Sequence, residues 1–90
     1  SWYSSSGKGK IYLRWYTISD ASGYQIRYCK KKSMKSGVKV MTVKGQRKYK
    51  KTISKLSRRK RYYVQVRAYK KSGKKTVYGK WSQKYMLKTK

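Results

Sequence analysis

The sequence predicts an all-β chain, a seven-stranded antiparallel β-sandwich. Three observations predict it. Apolar residues alternate with polar ones in several short runs. Turn residues fall between those runs. No segment carries a convincing helical period, and there is no internal repeat.

The runs can be taken in order. Ser1 to Ser5 is expected to form a short edge strand through Trp2 and Tyr3. Lys10-Ile11-Tyr12-Leu13-Arg14-Trp15 alternates cleanly, with Ile11, Leu13 and Trp15 on one face. Tyr24-Gln25-Ile26-Arg27-Tyr28 repeats the pattern, and so does Tyr62 to Ala68, with Tyr62, Val64, Val66 and Ala68 together. Weaker strands fit Val38 to Val43, Tyr49 to Leu56, and Thr76 to Leu87, the last interrupted near Gly79. Alternating β-branched and aromatic residues suit a pleated surface buried on one side. Turn signals separate the runs at Ser5-Ser6-Gly7-Lys8-Gly9, Ser19 to Gly23, Ser36-Gly37, Lys44-Gly45 and Ser72-Gly73.

Ninety residues suit one domain spanning 1–90. Twenty-eight residues are Lys or Arg and only Asp20 is acidic, for a formal net charge of +27. Almost no cation can find a carboxylate within the chain, so water, counter-ions or a polyanion must meet the rest. A hydrophobic content of 37% with 16% aromatics is too high for a disordered basic tail. The charge therefore sits on a folded core.

Composition also narrows the chemistry. Glu, Asn, Pro, Phe and His are absent. Without His, and with one carboxylate, no nucleophile–base pair can be assembled, so no enzyme, catalytic residue or cofactor is expected. Cys29 is the only cysteine, which excludes an intrachain disulfide or a zinc cluster. It is expected to serve as a small strand residue. No apolar run of about 18 residues is present, so no membrane-spanning helix is expected. The chain begins at Ser1, as an excised domain or mature fragment would.

Four motifs in order resemble a fibronectin type III domain, an immunoglobulin-like sandwich. Ile11-Tyr12-Leu13-Arg14-Trp15 resembles strand B with its buried Trp, and Asp20 to Ile26 resembles the turn into strand C. Leu56 precedes Tyr62 by six residues, as in the family's tyrosine corner, which implies that the Tyr62 hydroxyl ties the E–F crossover to the backbone. Tyr78-Gly79-Lys80-Trp81-Ser82 resembles strand G of the Lys-rich tandem repeats in surface proteins of Gram-positive bacteria. The match covers residues 8–90. It implies an extracellular or cell-wall-associated module. Trp15, Tyr24, Leu56, Tyr62 and Val64 are then core.

That topology places the charges. The A–B, C–C′ and E–F connections share one end with the C-terminus, and this end collects twelve cations. Its candidate polyanion site is Lys30, Lys31 and Lys32 with Arg58, Arg59, Lys60 and Arg61, a run holding three of the seven arginines. The planar guanidinium grips phosphate or sulfate at two points. The opposite end collects nine cations, among them Lys70, Lys71 and Lys74. Tyr12 and Tyr16 are expected to point outward on strand B, and Tyr63 and Tyr69 on strand F. With Arg27 and Arg67 the latter two would make a secondary aromatic–cationic face, able to stack bases or simply to pack across strands.

The reading that follows is a non-catalytic binding or spacer module. Its partners would be polyanions (teichoic acid, sulfated glycan, anionic membrane or nucleic acid) and neighbouring domains of the same chain. Self-repulsion favours a monomer. A second reading is a positively supercharged engineered scaffold, since Gln25, Gln65 and Gln83 stand where Glu would be tolerated. A third is a dedicated nucleic-acid binder, which the charge supports and no sequence-reading motif does.

Overall fold

The computed structural model describes residues 2–90, with side chains from Ser4 onward. Eight strands form: β1 (Trp2–Gly7), β2 (Lys10–Trp15), β3 (Gly23–Cys29), β4 (Lys39–Lys44), β5 (Lys50–Ile53), β6 (Arg61–Ser72), β7 (Lys75–Tyr78) and β8 (Tyr85–Lys88). They build two antiparallel sheets, β1-β2-β5 and β4-β3-β6-β7, with β8 also paired to β6. The eighth strand arises because the expected last strand divides. β7 pairs with Tyr69–Ser72 and β8 with Arg61–Val64, both along one edge of β6. Between them, residues 79–84 leave the ladder yet stay tied to β6 through Gly79 N–H to Ala68 O at 2.8 Å and Ser82 N–H to Val66 O at 2.8 Å.

The first strand runs two residues further than expected, and its turn is only Lys8-Gly9. Gly9 takes a φ of 60°, and a Cβ there would meet Leu56 O at 2.8 Å. Glycine is required on both counts. Ser1 and the side chains of Trp2 and Tyr3 lie outside the described residues.

The core forms where the inner faces meet. Ile11, Leu13 and Trp15 come from β2 and Ile53 from β5; Tyr24 and Ile26 come from β3, and Tyr62, Val64 and Val66 from β6. Fully burying an aliphatic side chain of this size stabilises by about 2 kcal/mol. The polar tips of the three core aromatics, Trp15, Tyr24 and Tyr62, are satisfied. Trp15 Nε1 donates to Lys48 O at 3.0 Å. Tyr24 Oη accepts from Ile18 N–H at 2.8 Å and donates to Gln46 O at 2.7 Å. Tyr62 Oη accepts from Ser57 N–H at 2.9 Å, which is the expected tie across the β5–β6 crossover. Cys29 is buried, and its Sγ–H donates to Lys31 O at 3.1 Å.

β1 starts opposite Trp15 and β8 ends opposite Arg61, so the two chain ends emerge at opposite ends of a body 42 Å long.

Candidate functional site

Two connections, the β1–β2 turn and the β5–β6 crossover, are tied to Lys90 at the end where β8 finishes. Gly9 N–H donates to Lys90 O at 3.1 Å, Leu56 N–H to Gly9 O at 3.0 Å, and Lys90 N–H to Gly7 O at 2.8 Å. Buried Thr89 locks the crossover: its Oγ1 donates to Ser57 O at 2.6 Å and accepts from Lys60 N–H at 3.1 Å. A rigid platform thus carries the basic run.

Lys30, Arg59, Lys60 and Arg61 line one shallow, open depression there, joined by Lys88. Lys88 was not among the expected site residues; its signal is the register, since it stands opposite Arg61 on β8. The other three candidates share the end without lining the depression. Lys31 lines the neighbouring groove. Lys32 is exposed, and its carbonyl accepts from Lys84 Nζ at 2.7 Å. Arg58 Nε turns back to donate to Lys90 O at 3.3 Å. Asp20 lies in the β2–β3 loop at the far end, so no acidic side chain neutralises the depression among the described residues.

Arg59 and Lys55 both hold left-handed backbone, with φ of 57° and 59°. This conformation costs an L-residue about 1 kcal/mol and suits glycine. Two cations occupy such positions at the same end.

The aromatic–cationic face is built differently from expectation. Arg27 and Arg67 do come together, but over Trp81: their guanidinium carbons lie 4.4 and 4.2 Å from its ring centroid. Arg67 also lies 4.0 Å over Tyr78. Burial pulls the Arg67 pKa down; Tyr78 pushes it back up and Arg27 lowers it further. Tyr63 makes no ring contact with either guanidinium among the described residues. Tyr69 points outward as expected, but it is not available as part of an exposed aromatic face. It is on the outward side of β6 yet only 5% exposed. It faces Gly23 across the ladder, and a Cβ on Gly23 would meet Tyr69 Oη at 2.7 Å. The missing side chain lets the ring collapse onto β3, and Tyr78 covers it at 6.4 Å.

Glutamines complete this face. Arg27 Nε donates to Gln65 Oε1 at 2.8 Å, and Gln65 Nε2 donates to Ser82 O at 2.7 Å. Arg67 donates twice to Gln25 Oε1, at 3.0 and 2.7 Å, while Gln25 Nε2 reaches Thr42 Oγ1 at 3.3 Å. Gln65 uses donor and acceptor together, which a carboxylate cannot do, whereas a carboxylate at position 25 could accept from both Arg67 and the Thr42 hydroxyl.

An all-β body with two antiparallel sheets, a tyrosine corner and a basic pole defines an immunoglobulin-like sandwich module. The fibronectin type III domain family matches residues 3–84, so the chain belongs to that family. No curated protein matches it in sequence. Among solved structures, the FN1–FN3 domains of chicken CNTN1 superpose with a TM-score of 0.82 at 22% identity, covering 99% of this chain and 29% of that one. The fn3 domain of human contactin 1 gives 0.83 at 19% identity, covering 100% and 74%. The chain thus spans under a third of the chicken fragment. At these identities the likeness is one of fold.

Proposed function

We propose that this chain is a non-catalytic binding and spacer module of a surface or secreted protein, and that its basic pole holds polyanions electrostatically. The observation that carries the reading is the convergence of Lys30, Arg59, Lys60, Arg61 and Lys88 on one open depression with no acidic neighbour. Phosphate- or sulfate-bearing chains gain most from such a patch, because each neutralised anion releases a counter-ion. Chain ends at opposite ends of a 42 Å body support a role as one bead in a string. The Tyr78 to Ser82 segment, like that of Lys-rich repeats in Gram-positive surface proteins, supports a wall-associated setting.

The test is a salt series with heparin, teichoic acid and duplex DNA. All three should bind at about 50 mM salt and weaken steeply by about 200 mM, with log K falling linearly against log salt. A shared patch predicts that heparin displaces the other two. Absence of binding at low salt overturns the reading. Tight, salt-insensitive binding of one ligand alone would replace it with a dedicated receptor.

A further inference from the structure

Beside the basic depression runs a second feature of different character. A groove of about 460 Å³ opens between the β3–β4 loop and the β5–β6 crossover. That size falls within the roughly 300–1,000 Å³ span of small-molecule sites. Its floor is Tyr28, Leu56 and Tyr62, with the two tyrosine rings 6.4 Å apart and inclined by 57°. Its rim carries Lys30, Lys39 and Lys55, all exposed.

We propose that this groove binds an aryl anion, an aromatic ring carrying a sulfate or phosphate, with the ring against the half-buried Tyr28 and Leu56 and the anion on the lysine rim. The proposal deepens the polyanion reading and rests on it.

Four observations favour this occupant. The rim has cations and no carboxylate among the described residues, which disfavours a cation and gives a neutral ring no added hold. The floor is aromatic and aliphatic, so a bare inorganic anion gains nothing there and fits the arginine-lined depression better. The Tyr28 hydroxyl has no hydrogen-bond partner among the described residues. Burial, and then Tyr62, push its pKa up, so it remains a donor at neutral pH. Finally, Lys30 belongs to both features. Its Nζ donates to Ser57 Oγ at 3.1 Å and sits 5.9 Å over the Tyr62 ring, which fixes it at their border. A polyanion lying on the pole can therefore place an aryl group in the groove. A run of stacked nucleobases is the poorer fit, since Tyr28 is the one floor ring with open surface, Tyr62 being only 4% exposed, and one half-buried ring takes a single aryl group rather than successive bases.

The experiment is NMR titration of the labelled chain with phenyl sulfate and phenyl phosphate, against sodium sulfate and benzyl alcohol at equal ionic strength. The aryl anions should shift the Gly37 and Ser57 amides and bind at least about tenfold tighter than sulfate, because ring and charge act together. Lys39→Gln with Lys55→Gly should weaken phenyl sulfate about tenfold, and Tyr28→Phe about threefold, with heparin affinity changed less than twofold. Lys55→Gly suits the left-handed backbone and keeps the fold. A tyrosine-sulfated peptide, compared with phenyl sulfate, separates the sources: tighter binding assigns a modified protein tyrosine, equal binding a free aryl anion. If phenyl sulfate binds no better than inorganic sulfate, or shifts only Arg59 to Arg61, the groove proposal falls while the polyanion reading stands. If oligothymidylate shifts the groove amides more strongly than phenyl sulfate, the occupant is single-stranded nucleic acid and the proposal is again overturned. Loss of heparin binding at low salt would remove the polyanion reading itself.

Discussion

Two regions of this molecule are rich in arginine, and they use it in opposite ways. On the outer face of β3 and β6, the guanidiniums of Arg27 and Arg67 lie against Trp81 and Tyr78 and donate to Gln65 and Gln25. Their ring-facing sides, and some of their donors, are spent on the fold. At the pole, the guanidiniums of Arg59 and Arg61 have no hydrogen-bond partner among the described residues and stand on a hydrogen-bonded platform in open solvent. The difference teaches that the charge of +27 is not one coat. Part of it is stacked and acts as structure. Part of it is left unmatched, and that part carries the proposed polyanion reading.

The comparison breaks most readily by charge reversal. Arg58, Arg59 and Arg61 changed together to Glu should weaken heparin binding by on the order of 100-fold at low salt and flatten the salt slope by two to three contacts. The same reversal at Lys70, Lys71 and Lys74, at the other end, keeps the net charge equal and should cost at least about tenfold less. Equal losses, measured by isothermal titration, would show that only total charge matters and would dissolve the pole.

Trp81→Ala asks the reverse question of the face. It removes the ring beneath two guanidiniums while the Gly79 and Ser82 ties to β6 remain, so stability should fall by about 2 kcal/mol in urea unfolding. Heparin affinity at a temperature where the variant is folded should stay within about twofold. A large loss of binding with intact stability would make the face a ligand site.

How much of this was legible in the residues follows from how local each signal is. The strands through Ile11, Tyr24 and Val64 announce themselves by alternation within five to seven residues, and the tyrosine corner by one spacing. Which end is basic followed from topology. Trp81 was harder. Its partners sit on two other strands, and it belongs to a segment that leaves the ladder, so no periodicity points at it. The available signal was two outward arginines, Arg27 and Arg67, one ladder step apart, in need of an aromatic cover. Tyr69 was read correctly for side and wrongly for exposure, because parity cannot report that the residue opposite lacks a side chain. Lys88 needed the β6–β8 register, which the interruption of the last strand obscured.

Arg59→Gly sharpens the contrast further by setting stability against binding. Arg59 holds a φ of 57°, which glycine adopts freely. Relief of about 1 kcal/mol of backbone strain opposes the extra unfolded-state entropy of glycine, so the melting temperature should hold or rise slightly. Heparin affinity should drop about threefold for the one lost anion contact. A stability loss above about 1 kcal/mol would mean that the Arg59 side chain is held by the fold, like Arg27 and Arg67, and would erase the distinction between the two regions.

The smallest effect concerns whether the basic end is wet throughout. Tyr28 lies in the groove beside the pole, and burial first, then Tyr62, raise its pKa above the ordinary tyrosine value. Below about pH 10 the phenol is neutral in both folded and unfolded chains, so it contributes no pH dependence. As the pH climbs past about 10, the unfolded chain releases this proton first and the folded chain retains it. The folded state binds more protons, and stability must fall with rising pH until the folded pKa is passed. Lysines deprotonate in the same window and relieve repulsion, so the informative quantity is the difference from Tyr28→Phe. The variant should lose less stability above about pH 10 than the parent, and absorbance near 295 nm should lack one phenol that titrates above the ordinary tyrosine value. Parallel stability curves would mean that Tyr28 is solvated, and that the groove is as open as the arginine depression next to it.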